Sequence, residues 1–187
     1  MLSAFARPLV AFGTLAVASL ALPAQEVIHA LTGTVSTISD ATHTMTVLED
    51  TGKMGTFDVL IKPTRTNFDK RIESQTTAAN AFKQQGAYVI VFYFGSFSQP
   101  TVAALKTLGH GPFAATVGKV EHYDSHSISV QDDSGKEQTF RIGTDTIAET
   151  NYGVEEGVKA RVQSGDKVRI VSATVDGNPT ALFLRAM

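Results

Sequence analysis

The chain has 187 residues, 43% of them hydrophobic and 18% charged, with a formal net charge of -2. That length holds one ordinary domain or two small ones with a packed core, and the apolar content excludes a disordered chain. The balanced charge excludes binding of polyphosphate or an anionic membrane by bulk electrostatics. The absence of cysteine excludes disulfides, a thiol nucleophile and lipidation at a processing site.

The N-terminus carries one early base, Arg7, then a run from Leu9 to Leu22 that is apolar except for Gly13, Thr14 and Ser19, then Pro23-Ala24 before Gln25-Glu26. Basic start, apolar middle and a small residue at the cut are the order of a secretory signal, so residues 1–24 read as a signal peptide cleaved after Ala24. The apolar run is shorter than the roughly 20 residues a bilayer span needs. A retained membrane anchor is the alternative.

From Leu31 onward the pattern is that of strands. Thr32 to Ile38 is rich in β-branched residues, Asp40 to His43 reads as a turn, and Met45 to Glu49 as a second strand. Glu49-Asp50-Thr51-Gly52-Lys53 predicts a hairpin whose glycine supplies the positive φ of the reversal. Thr56 to Ile61 completes a three-stranded meander, which Pro63 ends because it has no N–H for a ladder.

Residues 67–85 are polar and alanine-rich, and predict a short irregular helix with Ile72, Ala79 and Phe82 turned inward and Gly86 as its stop. The strand Tyr88-Val89-Ile90-Val91-Phe92-Tyr93-Phe94 is apolar on both alternating faces, which requires cover on both. One face belongs to the first core; the other is expected to press on a second domain or a partner, with Tyr88, Phe92, Tyr93 and Phe94 as interface residues. Ser98-Gln99-Pro100 turns the chain into a closing strand from Thr101 to Leu108. Gly109-His110-Gly111-Pro112 is a run of turn residues and places the domain boundary there, between residues 26–110 and 111–187.

The second stretch repeats the first. Ala115 to Val120 aligns with Gly33 to Ile38, Ile128 to Lys136 with Met45 to Lys53, Thr139 to Ile142 with Thr56 to Val59, and Asn178 to Arg185 with Gln99 to Lys106. Gly165-Asp166-Lys167-Val168 answers Gly86-Ala87-Tyr88-Val89, with Ala87-Tyr88 departing from Asp166-Lys167. Four matching blocks at a near-constant offset point to duplication. The expected fold is all-β with one short helix or helical loop per repeat. Three meander strands, a crossing and two more strands fit two tandem five-stranded barrels of the oligonucleotide/oligosaccharide-binding (OB-like) type, with open β-rolls or a sandwich as the alternative.

The Gly-x-Val strand, Gly-Lys turn, Phe-x-Val strand, Gly-Asp-Lys-Val strand and closing Pro-Thr-Ala resemble the small OB-like domains of unknown function found, often in tandem, in exported bacterial proteins. The resemblance covers nearly all of residues 30–187 and brings no catalytic residues with it.

His122-Tyr123-Asp124-Ser125-His126, with Asp132 and Asp133 on the neighbouring hairpin, offers imidazole and carboxylate ligands suited to zinc or a related ion. The five residues straddle a turn, where nothing holds both rings to one side, so His122, Asp124 and His126 read first as solvated turn residues. The acidic hairpins at Glu49 to Lys53 and Asp132 to Lys136 lack the oxygen spacing of a calcium loop. No Gly-x-Ser-x-Gly elbow occurs, and Glu155-Glu156 reads as a solvated helix start. The rings from Tyr88 to Phe97 do not interleave with Lys62, Arg65, Lys70 and Arg71, which argues against a stacking groove for single-stranded nucleic acid. The reading is a non-catalytic binding or interaction protein of the bacterial periplasm or cell envelope, or secreted, with a protein or envelope component as partner and no cofactor. An envelope hydrolase or metal-binding protein using His122, Asp124 and His126 is the competing reading.

Overall fold

The computed structural model describes residues 27–61, 69–95 and 100–187. The expected signal peptide, Lys62, Pro63, Arg65 and Phe97 lie outside them. The described chain is predominantly β-structure.

The first sheet is built from β1 (His29–Ser39), β2 (Thr44–Glu49), β3 (Met54–Val59), β4 (Thr77–Ala78), β5 (Tyr88–Phe94) and β6 (Thr101–Thr107), in the order β3-β2-β1-β5-β6-β4. β3 also meets β6 in parallel, over two residue pairs, Asp58 with Thr101 and Val59 with Val102. Between β3 and β5 the expected helix is reduced to a single turn, α1 (Lys70–Glu73), followed by β4 and a 3₁₀ turn at Ala79–Ala81. Asp69 caps α1 by accepting a 2.8 Å bond from Arg71 N. Ile72, Ala79 and Phe82 are all buried, as their spacing predicted.

The second sheet comprises β7 (Ala114–Tyr123), β8 (Ser127–Asp132), β9 (Glu137–Thr150), β10 (Gly153–Glu156), β11 (Lys167–Val175) and β12 (Asn178–Ala186). Here β9 pairs with β8 on one side and in parallel with β12 on the other, so that β7, β8, β9, β12 and β11 form a closed five-stranded ring. Parallel contact starts at Arg141 with Thr180 and continues through Ile147 with Phe183 to Glu149 with Arg185. β10 folds back on the end of β9, outside the ring.

Backbone bonds recur at matching places in the two sheets. Glu49 N donates to Lys53 O at 2.8 Å and Asp132 N to Lys136 O at 3.0 Å, around glycines with φ of 78° at Gly52 and 83° at Gly135. Gly86 N donates to Val35 O at 2.8 Å and Gly165 N to Val120 O at 2.7 Å. These bonds correct the alignment read from sequence, in which Val120 stood opposite Ile38. Val120 occupies the place of Val35, and Gly118 that of Gly33, a shift of three residues. The cause is steric: a Cβ on Gly33 would lie 2.4 Å from Leu48 O, and one on Gly118 would lie 2.5 Å from Gln131 O. A threonine-valine string fits several registers, whereas only a bare Cα passes those carbonyls.

Three clusters of buried residues hold the molecule together. The first, around Val35, Met45, Val47, Phe57, Val89 and Val91, fills the first sheet, and the second, around Val120, Ile128, Val130, Phe140, Val168 and Ile170, fills the ring. The third lies between the halves. Ile28, Ala30, Ile72, Ile90, Phe92 and Phe94 face Ile147, Val171 and Phe183 there. β5 therefore sends Val89, Val91 and Tyr93 into its own core and Ile90, Phe92 and Phe94 into the seam.

Candidate functional site

The turn between β7 and β8 carries the strongest cluster of potential ligands. Asp124 Oδ1 accepts from His126 N at 2.6 Å and Ser127 N at 2.8 Å, while Asp124 Oδ2 lies 3.1 Å from His122 Nε2. The two turn N–H groups, then His122, lower the Asp124 pKa from its ordinary 3.8 to about 2. His126 is 90% exposed and bonds Ser125 Oγ through Nδ1 at 3.0 Å. One carboxylate oxygen is thus occupied by turn N–H groups, and the imidazoles stand on the surface. Among the described residues no group of three or more His, Asp or Glu side chains is arranged to hold a metal ion.

The acidic hairpins use their oxygens in the same way. Asp132 Oδ1 accepts from Ser134 N at 2.9 Å, Ser134 Oγ at 2.6 Å and Lys136 N at 3.0 Å. These bonds lower the Asp132 pKa, the Ser134 hydroxyl contributing most. Asp50 accepts from Thr32 Oγ1 and from the Tyr88 hydroxyl, its oxygens lying 2.8 and 2.7 Å from Tyr88 Oη. Burial, and then Asp50, push the Tyr88 pKa well above its ordinary value, so the phenol stays neutral. Its ring stacks on Phe113 with centroids 4.5 Å apart at the edge of the seam.

Of the other aromatic residues singled out from the sequence, Phe92 and Phe94 lie within the seam and Tyr93 within the first core. Glu155 and Glu156 lead into a helical turn, Glu156 directly preceding the 3₁₀ turn Gly157–Lys159, but they are not the solvated start expected from the sequence. They close β10, and Glu156 is 4% exposed, 3.4 Å from Arg71 Nη1 and 3.2 Å from Lys159 Nζ. Adjacent strand residues point apart, so Glu155 turns the other way, to the Thr150 hydroxyl at 3.0 Å and Arg161 Nε at 3.4 Å.

The sequence reading missed a polar group that spans the halves. Glu149, 5% exposed, lies 3.1 Å from His29 Nδ1 and 3.1 Å from Arg185 Nε. The Arg185 contact is ionic only, since no N–H is aimed at Glu149 Oε2. The signal was there to read: a carboxylate at the end of the apolar Ile147-Ala148 pair needs a cation once β9 is buried. Lys106 makes a further bridge, its Nζ donating to Gln75 Oε1 and to Asp145 O, both at 2.6 Å. Burial pulls the Lys106 pKa down.

Two surface clefts flank β3. One of about 260 Å³ is lined by Asp40, His43, Asn80 and Lys83. The larger, about 380 Å³, is lined by Leu31, Phe57, Tyr93 and Pro100, with Glu49 and Lys53 at its margin. The smaller also takes in Ser39 and Thr44, whose hydroxyls each bond Thr42 Oγ1 at 2.7 Å, while Asp40 pairs with Lys83 Nζ at 2.5 Å. Protein-family models return no match to this chain, and no curated protein is similar to it.

Proposed function

We propose that the chain is a non-catalytic binding protein of the bacterial envelope, exported by a signal over residues 1–24 and built from two duplicated OB-like domains. The observation that carries this reading is the occupation of the reactive groups. Asp124, Asp132, Asp50, Glu149, Glu155 and Glu156 each serve a turn, a hydroxyl or an ion pair. General acid-base chemistry needs such groups aimed at a shared open position instead. The recurring backbone bonds at Gly86 and Gly165, and at the two Gly-Lys hairpins, support duplication of one unit. The seam around Phe92 supports a rigid pair, so that any partner meets both domains in a fixed relation.

The test is affinity capture from a bacterial envelope extract with residues 25–187 as bait, alongside incubation of the same protein with peptidoglycan and peptide substrates. A discrete retained partner and no turnover are expected. Turnover that disappears in His122→Ala or His126→Ala would establish the hydrolase reading instead.

A further inference from the structure

The strand β11 carries its charge on one side. Val168 and Ile170 point into the second core, so Lys167 and Arg169 point outward, and the same alternation beside Val120 and Leu184 turns Lys119 of β7 and Arg185 of β12 to that face. Lys119 stands directly opposite Lys167, and Arg169 directly opposite Arg185. Like charges so placed on neighbouring strands destabilise a sheet. At the same register positions the first sheet has Thr34, Tyr88, Ile90 and Lys106, so the cations gather in the second half alone.

The acids around this face are engaged elsewhere or leave the cations in excess. Glu149 takes Arg185 and also His29. Asp50, across the seam, accepts from Thr32 and Tyr88, Asp166 accepts from Gln163 N, and Glu121 falls in a bulge of β7. Among the described residues no carboxylate, that of Met187 included, lies within ion-pair distance of Lys119, Lys167 or Arg169. The residues outside the described set hold a single acid, Glu26. Lys119 and Lys167 are exposed, while Arg169 and Arg185 are half-buried beside the seam residues Val171 and Phe183.

We infer that this face of β7, β11 and β12 binds an extended acidic segment of a partner polypeptide, whose carboxylates at alternate residues meet Lys167 and Arg169. The occupant follows from spacing and depth. Alternate side chains of an extended peptide stand about 7 Å apart on one side, as do Lys167 and Arg169 along β11. A carboxylate also suits the planar fork of an arginine. A flat anionic bilayer would meet the two lysines but not the two arginines recessed beside the seam. The inference rests on the binding-protein reading and names the class of partner.

The probe is a capped seven-residue peptide of alternating serine and glutamate, titrated at low ionic strength into ¹⁵N-labelled residues 25–187 and followed by NMR. The amide signals of Lys119, Lys167, Arg169 and Arg185 should shift, and affinity should fall about tenfold when salt is raised from about 50 to about 200 mM. The analogue with glutamine in place of glutamate should leave those signals unmoved. Lys119→Gln combined with Lys167→Gln should weaken binding about tenfold, yet raise the melting temperature by about 1–3 °C because a like-charged pair is relieved. Unchanged affinity in that double variant, equal binding of the glutamine analogue, shifts confined to other residues, or no shifts at about 1 mM peptide would overturn the inference. Tighter binding of inorganic tripolyphosphate than of the peptide would assign the face to phosphate groups and overturn it as well. If the double variant captures the envelope partner as well as the parent chain does, the acidic-segment proposal fails while the binding-protein reading stands.

Discussion

The two halves agree inside and differ outside. Val35, Met45, Val47, Phe57, Val89 and Val91 line the first core, and Val120, Ile128, Val130, Phe140, Val168 and Ile170 take the same register positions in the second. On the outer faces the residues diverge: Arg169 stands where Ile90 does, Val171 where Phe92 does, and Glu137 where Met54 does. The core positions fill a fixed volume in a fixed register, which limits substitution to apolar residues of related size, whereas at one end of the first core Leu31 and Tyr93 are matched by Thr116 and Ser172. Outer positions answer to whatever covers them, and the seam is where this chain has spent its variety.

The comparison can be broken most forcefully at the seam. Phe92→Ala should cost about 3–5 kcal/mol and uncouple the halves, giving two transitions in scanning calorimetry where the parent gives one. Val171→Ala, at the matching position, should cost less and keep a single transition. A parent protein already melting in two steps would remove the seam as a coupling element. Next come the glycines. Gly33→Ala and Gly118→Ala should each destabilise by about 2–3 kcal/mol in urea denaturation, because the obstructing atoms are backbone carbonyl oxygens that no rotamer change can move. A large loss in one and none in the other would show that the registers are not equivalent.

Smaller effects sharpen the contrast. Arg71→Ala, which leaves Lys159 to face Glu156, should cost about 1 kcal/mol or less, since Arg71 is half exposed. The β7–β8 turn should respond to acid. The Asp124 pKa is depressed from 3.8 to about 2, so its contribution is present in full above pH 3.8 and is lost as pH falls through about 2. NMR titration should show the His126 and Ser127 amides moving with a midpoint near 2, and Asp124→Asn should abolish the step. In the β1–β2 turn Ser39 Oγ accepts from Thr42 N at 3.2 Å, and the carboxylate held below its ordinary value there, Asp40, answers to Lys83 and not to turn N–H groups.

Much of this was legible in the sequence because it rests on local chemistry. Gly52 and Gly135 announced their hairpins, and alternation at Tyr88 to Phe94 announced a strand covered on both sides. The strands alone fixed neither register nor closure. Thr34-Val35 and Thr116-Val117 look alike in a string, and only the carbonyls facing Gly33 and Gly118 decide between them. The cleft beside β3 is assembled from residues on β1, β3 and β5, distant in sequence, and no local pattern reports such a meeting. Glu156 does precede a helical turn, but the expectation of a solvated carboxylate failed because Arg71 on α1 supplies a cation that a local reading cannot see.

The parallel contact between β9 and β12 has a temporal consequence. Arg141 pairs with Thr180 and Glu149 with Arg185, so the ring of the second sheet cannot shut until the strand that follows β11 has been synthesised. β7, β8 and β9 can form their antiparallel meander earlier, since those pairings join neighbours along the chain. In the interval the outer rung of β9 is bare, and a nascent chain stalled before Asn178 should be a substrate for holdase chaperones that the finished protein no longer engages.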